Sequence, residues 1–325
     1  MKRIMIFGAT GLLGSQTAID LIKRGYFVIG TNKDKKPFSR LNYEGYMEGM
    51  VMPCFDILRL EHVRRLISEY EPDFIIHLAA QPIVHKSMSN PHYTMELNIR
   101  STCNILEAVR CINPDIPVLI ASTDKVYGDG SPPFREDSPL NAVYPYDVSK
   151  LCTDRIAYSY LKSFGMDIYI IRPANIYGPG DIHRSRLVPD TVLSIIEDKA
   201  PVIRSNGRFI RDFIFVGDVS RFIGIIIDKA LRDGFKNAGI YNIGTGKPFP
   251  VLDIVNKILK ISGRDIKPVI LGQELKEIQA QWLDIEKATK VFGFSPEFDI
   301  DKGLEITYKW YLDASADNKA LFTIP

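Results

Sequence analysis

An α/β fold, built on a doubly wound parallel sheet, is predicted by three features of the sequence. Short apolar runs alternate with helix-length amphipathic stretches from residue 2 to residue 172. The first run leads into a glycine-rich turn, GATGLLG at 8–14. The 325 residues, 46% hydrophobic and 25% charged, suffice for a sizeable core in one large α/β unit or two closely joined domains.

Taken in order, KRIMIF at 2–7 reads as a short buried strand, and a helical pattern over 15–24 ends at Gly25. Strand, glycine turn and helix form the context that a dinucleotide-binding turn needs. Glycines let the backbone approach a pyrophosphate, whose charge then sits at the helix N-terminus. The spacing is G-x-x-G-x-x-G, with Gly8, Gly11 and Gly14, and plain strand-to-helix punctuation is the alternative reading. A second strand is predicted over 26–31. An acidic residue at its end would bind the adenosine ribose diol, but Asn32 stands there, followed by Lys33 and Asp34. Lys33 can face a 2′-phosphate and Asp34 can reach a diol, so the expected cofactor is NAD or NADP, with NADP preferred. A solvated charged loop explains the lysines equally well. A third strand is predicted over 50–53 and a helix over 61–70. The run at 73–80 is a strong strand closing on Ala79 and Ala80, which leave room for a flat cofactor. Asn90 and Pro91 break the chain before a helix over 94–109, and PVLIA at 117–121 is the next strand.

In such sheets ligands bind beyond the carboxyl ends of the strands. Ser122, Thr123, Asp124 and Lys125 stand at such an end and share an edge with the glycine turn. A helix predicted over 145–164 carries Tyr146 and Lys150 at its start. Four apart, they lie on one face, where the ammonium can stabilise a phenolate and let the tyrosine take a hydroxyl proton near neutral pH. Tyr158 and Lys162 repeat the spacing, as one chance match among 15 tyrosines should. They lie roughly 18 Å further along the helix. Only the first pair can readily face the edge that holds Thr123, and the second is most simply helix surface.

A further strand at 167–172 runs into a Pro/Gly-dense, constrained loop at 173–181. The alternation then loosens into a helix at 188–198 and segments at 201–203 and 208–212. Arg184, Arg186, Arg204, Arg208 and Arg211 form a basic cluster in a chain of net charge +2. Guanidinium forks suit a diphosphate, although solvated surface charge explains such a cluster too. The near-neutral charge gives no reason to expect nucleic-acid or membrane partners. Four cysteines without C-x-x-C spacing and five histidines without a ligand pattern predict free thiols and no metal site. No apolar run approaches the length of a membrane span and the opening is unlike a signal peptide, so a cytoplasmic protein is expected.

Six segments together resemble the extended short-chain dehydrogenase/reductase family, the NAD(P)-dependent nucleotide-sugar epimerases and dehydratases. They are GATGLLG, HLAA at 77–80, STDKVYG at 122–128, YDVSK at 146–150, RPANIYGP at 172–179 and RDF at 211–213, and the match runs essentially end to end. Within the family, TDK at 123–125, YPYDVSK at 144–150, GDIHRSRLVP at 180–189, PVIRSNGRFIRD at 201–212 and QWLD at 281–284 are most similar to CDP-glucose 4,6-dehydratases. The connection from 127 to 144 is shorter than in that group. The resemblance implies a Rossmann-type domain over 1–172 with a return segment around 211–245, a nucleotide-sugar domain mainly over 173–325, and a homodimer through the two long helices. It places Gly8, Gly11 and Gly14 on the pyrophosphate and Asp56 and Ile57 at the adenine. Thr10, Leu12, Leu13, Asn32, Lys33, Leu78, Ala79, Ala80 and Gln81 complete the cofactor site with Tyr146 and Lys150. Gln81, Asn98, Thr123, Asn175, Arg186, Val202, Arg204 and Arg211 would line the nucleotide-diphosphate sugar, Thr123 on its 4-hydroxyl.

The expected activity is therefore a nucleotide-hexose 4,6-dehydratase. Tyr146 and Lys150 form its catalytic pair, with Thr123, Asp124 and Lys125 beside them. In many family dehydratases a Thr-Asp-Glu triplet supplies the acid for the 6-hydroxyl and the base for C5. Asp124 matches the acid, while Lys125 stands in the place of the glutamate and can be a base only if it is kept neutral. A plain salt bridge to Asp124 is the alternative. Epimerisation on the same fold is the second reading. Asp124 argues against it, since simple 4-epimerases typically carry a small residue there. A non-catalytic cofactor-binding sensor would be expected to have lost Thr123, Tyr146 or Lys150, and all are present.

Overall fold

The computed structural model describes residues 1–31, 39–232, 237–273 and 278–317. Its strands are β1 (Arg3–Phe7), β2 (Phe27–Thr31), β3 (Phe74–His77), β4 (Val118–Ala121), β5 (Ile168–Pro173), β6 (Asn175–Tyr177), β7 (Val202–Ile203), β8 (Ile210–Phe215), β9 (Gly239–Ile243), β10 (Pro248–Pro250), β11 (Val269–Ile270) and β12 (Ala280–Gln281). Its α-helices are α1 (Leu12–Lys23), α2 (Arg40–Tyr43), α3 (Leu60–Tyr70), α4 (Val84–Ser89), α5 (Pro91–Met95), α6 (Ser101–Ile112), α7 (Pro145–Phe164), α8 (Leu187–Ile196), α9 (Val216–Arg232), α10 (Val251–Ser262), α11 (Glu286–Phe292) and α12 (Ile300–Asp317).

Six strands form one sheet in the order β2-β1-β3-β4-β5-β9, with every pairing parallel. Its strands are apolar on both faces because helices cover both. Ile4, Ile6 and Ile76 pack with Leu21 of α1 and Phe222 of α9. Met5, Phe7 and Ile75 pack with Leu66 of α3 and Leu106 of α6. The winding reverses between β1 and β3, so the connections leaving their carboxyl ends part and open a crevice.

Two sequence expectations change. The strand expected at 50–53 does not form, and Val51 makes only one parallel bridge, to Ile29. The segment crosses at Gly30, where an added Cβ would fall 2.4 Å from the Met52 sulfur. The single helix expected over 94–109 is three pieces, with a π-helical turn at Glu96–Arg100 between α5 and α6.

Beyond β5 a second sheet is built around β8, which pairs antiparallel with β10 and parallel with β12 and β6. A third core of Val192, Ile258, Leu304 and Tyr311 supports it. The chain then returns to the first sheet, over 216–243 rather than from 211, since β8 belongs to the second. Helix α9 lies on α1, tied by Ser220 Oγ to Asp20 Oδ2 at 2.5 Å and by Arg24 to Asp228 at 2.9 Å. Strand β9 follows beside β5. Among the described residues, no helix is long and apolar enough to cross a membrane.

Candidate active site

The three glycines after β1 do different jobs. Gly8 has φ +88°, and a Cβ there would sit 2.7 Å from the Ala79 amide nitrogen. A Cβ on Gly14 would sit 2.1 Å from the Gly8 carbonyl. Both are demanded by the protein's own close packing. At Gly11 an added Cβ would meet only the Gly8 carbonyl, at 3.6 Å, so this glycine borders open space. Gly11 is also the N-cap of α1 and offers no side-chain acceptor. The first-turn amides, beside Thr10, are therefore left for an anion, and the turn fits a dinucleotide pyrophosphate.

Around this turn, Leu78, Ala79 and Ala80 are half-buried at the end of β3, and Leu78 N donates to Phe7 O at 2.9 Å. Leu12 and Leu13 are half-buried against the third core. The Asp56 carboxylate accepts from Leu58 N at 3.0 Å, and Asn104 holds the Ile57 carbonyl at 3.0 Å. Asn32 and Lys33 lie outside the described residues. Gln81 departs from expectation. Its oxygen accepts from Ile83 N at 2.6 Å and its nitrogen donates to Ile83 O and Thr94 Oγ1, so the buried side chain shapes its own loop.

At the end of β4, Thr123 caps a short 3-10 turn, accepting from Lys125 N at 3.3 Å and donating to Asp124 Oδ1 at 3.1 Å. Lys125 Nζ donates to Asp124 Oδ2 at 3.4 Å and also to Gln281 Oε1. Burial pushes the Lys125 ammonium below the usual lysine range, against the pull of Asp124. Tyr146, in the first turn of α7, lies near enough to Thr123 for that hydroxyl to favour its phenolate. The sequence predicts Lys150 as the cation acting on Tyr146, and the structure differs. Burial pushes the Tyr146 hydroxyl up to about 12, and the largest opposing influence is Arg186. Lys150 Nζ instead donates to the Ala121 carbonyl, and burial brings its ammonium down to about 8.

The π turn aims Asn98 into this layer. Its Oδ1 accepts from Gln81 N at 2.8 Å and its Nδ2 donates to Ser149 Oγ at 2.8 Å. Ser149 Oγ in turn donates to the Tyr146 carbonyl at 2.7 Å. The Asn98 main-chain oxygen is taken up by Thr102 and Thr153 hydroxyls at 2.8 and 3.1 Å. Asn98 thus braces the first turn of α7, as π turns at functional sites often do.

On the opposite wall, Asn175 Nδ2 donates to the Asp212 carbonyl at 2.9 Å, and Arg186 pairs with Asp181 at 2.9 Å. Arg211 is buried, donates to Ile210 O at 2.9 Å and bears on Lys125. The predicted arginine cluster divides. Arg186 and Arg211 face the site, Arg184 is paired with Glu197, and Arg204 and Arg208 are exposed, as is Val202 of β7. Sequence reasoning gave no role to Gln281 or Asp147. Both are buried, Gln281 touches the Asp124–Lys125 turn directly, and the charge of Asp147 bears on Lys125 and Tyr146. The only signal for either was its place in a segment that carries the resemblance, Gln281 in QWLD and Asp147 in YDVSK, between Tyr146 and Lys150.

The chain is 29% identical over 322 residues to the UDP-glucuronate 4-epimerase of Thermodesulfobacterium geofontis, covering 95% of this chain and 96% of that one. It is 27% identical over 328 residues to the CDP-glucose 4,6-dehydratase of Salmonella typhimurium, covering 95% and 90%. Its fold matches the crystal structure of UDP-glucuronic acid 4-epimerase from Bacillus cereus, in complex with UDP-glucuronic acid and NAD. The TM-score is 0.85 at 28% identity, over 95% of this chain and 98% of that one. The sequence signature of the NAD dependent epimerase/dehydratase family matches residues 4–244. With a pyrophosphate-ready turn at β1 and a Thr-Tyr-Lys edge at β4, the chain belongs to the NAD dependent epimerase/dehydratase family, whose members include nucleotide-sugar epimerases and 4,6-dehydratases.

Proposed function

We propose that the protein is a nucleotide-sugar 4,6-dehydratase of the CDP-glucose type. One observation carries this reading. Asp124 and Lys125 stand together beside Thr123, 3.4 Å apart, where oxidation of one hydroxyl needs neither. When bound, a nicotinamide would supply the hydride acceptor for C4 and the hydride donor for C6. Thr123 orients the 4-hydroxyl and Tyr146 takes its proton, with Arg186 as the cation that most favours its phenolate and Lys150, held on the Ala121 carbonyl, as the second member of the pair. The ketone acidifies the C5 hydrogen, Lys125 removes it, and Asp124 protonates the departing 6-hydroxyl. Asn175, Arg186, Val202, Arg204 and Arg211 would hold the nucleotide and its diphosphate. The same reading has a cytoplasmic homodimer joined through α6 and α7, and NAD or NADP as the cofactor, with Asn32 and Lys33 favouring NADP.

The likeness to a UDP-glucuronate 4-epimerase favours a second reading, inversion at C4 with no loss of water. Incubation with CDP-, dTDP-, GDP- and UDP-hexoses, followed by product mass, separates the two. A product lighter by one water is expected, and an isobaric product would sink the dehydratase.

A further inference from the structure

Gln281 reaches the site from β12, with none of its surface exposed and with Arg211 as its register partner on β8. Its Nε2 donates to the Asp124 carbonyl at 2.8 Å. A carbonyl only accepts, so the amide nitrogen must face it and the amide oxygen must face Lys125 Nζ. The same Nζ lies 3.4 Å from Asp124 Oδ2. Transfer of one proton from Nζ to Oδ2 turns an ammonium and a carboxylate into an amine and an acid, with the net charge unchanged. The pair then holds both the base and the acid that the elimination needs. In the amine form one N–H remains on Gln281 Oε1, which keeps the nitrogen lone pair off the amide.

We propose that Gln281 is the positioning residue that lets Lys125 act as a neutral base, a role that rests on the dehydratase reading above. The Nζ lone pair takes the C5 proton, the C5–H electrons form the C5–C6 double bond, and the C6–O bond breaks. The hydroxyl leaves as water with the proton from Asp124. The other charged groups bearing on Lys125 are divided: Arg211 opposes the ammonium, while Asp124 and Asp147 favour it. An uncharged amide leaves that balance poised, whereas a carboxylate at 281 would tip it to the ammonium.

The test uses the full chain with Gln281→Glu and Gln281→Met. Competitive acetylation of Lys125 across pH, read by mass spectrometry without substrate, reports its protonation. Deuterium uptake at C5 during turnover reports its use as a base. Gln281→Glu is expected to raise the Lys125 midpoint by about one pH unit or more and to move the acid limb of C5 exchange with it. Gln281→Met is expected to slow C5 exchange by roughly 10- to 100-fold with KM changed little. An unmoved midpoint in the Glu variant overturns the proposal. So does equal loss of kcat and kcat/KM in both variants with no shift of the pH profile, which is what a merely structural residue would give. Wild-type product mass is read separately. An isobaric product sinks the dehydratase reading, and the base role with it, whereas loss of water beside an unmoved midpoint sinks the role of Gln281 alone.

Discussion

The two ends of α7 carry the same Tyr-x-x-x-Lys signature in different surroundings. At its start, Tyr146 lies beside Thr123, Lys150 reaches the Ala121 carbonyl, and Asn98 braces the turn through Ser149. Near its end, the ring of Tyr158 lies under two cations, Lys162 Nζ at 5.5 Å and the Arg155 guanidinium at 5.0 Å. The second pair satisfies itself as a half-buried cation–π contact. The first is held by three other elements. A spacing becomes a site only when the strands beside it supply partners.

The largest expected difference is in turnover. Tyr146→Phe should lower kcat by roughly 10²- to 10⁴-fold with cofactor affinity nearly unchanged, by kinetics and cofactor titration, whereas Tyr158→Phe should stay within about twofold. Near-normal activity in Tyr146→Phe would erase the contrast between the two ends.

Between the two pairs lies Asp154, fully buried against Arg172 with bonds of 2.8 and 2.9 Å. Asp154→Asn leaves an uncompensated buried guanidinium, and denaturant unfolding should show a loss of about 3–5 kcal/mol. A loss below about 1 kcal/mol would mean that the middle of the helix depends on its surface contacts instead.

A smaller effect follows from pH. The Lys150 ammonium, at about 8 in the folded protein against an ordinary 10.5, loses its proton earlier than in the unfolded chain. The unfolded state then binds more protons, so stability rises with pH from about 8 towards 10, by about 1.4 kcal/mol per unit at most. Above pH 10 the raised Tyr146 acts in the opposite sense, its folded form retaining a proton that the unfolded form loses. Lys150→Met should flatten the rise between pH 8 and 10 in urea titrations. Lys162→Met, at the exposed end, should leave it intact.

The smallest effect belongs to the second pair. Tyr158→Leu should cost about 0.5–1 kcal/mol through the lost cation–π contacts, read as a small drop in the unfolding midpoint.

Much of the fold is written in local pattern. The runs at 3–7, 27–31, 74–77, 118–121 and 168–173 are mostly apolar because both faces are covered, with Arg3, Thr31, His77 and Arg172 at or next to their ends, and α7 has Pro145 at its start and Gly165 at its end. The glycine turn and the Thr123–Lys125 turn were legible for the same reason, since each sits where a strand stops. Other features depend on contacts far apart in sequence. Residues 50–53 look like a strand, but only Val51 finds a partner. The π turn leaves no mark in a helical period, and Asn98 shows its purpose only once Gln81 and Ser149 close on it. Gln281 stands 156 residues from the lysine that it touches, in a two-residue strand too short to carry a pattern.

The return of α9 and β9 to the first sheet has a consequence for how such a protein can be recombined. The chain passes from the first sheet to the second after β5, comes back after β8, and leaves again after β9. Neither part is one continuous piece. A fragment cut at 172 would expose the apolar flank of α1 and leave the edge of β5 unpaired. Exchange of sugar specificity with a relative therefore cannot be done by a single splice. It needs at least three junctions, with 216–243 kept in the parent that supplies the dinucleotide turn.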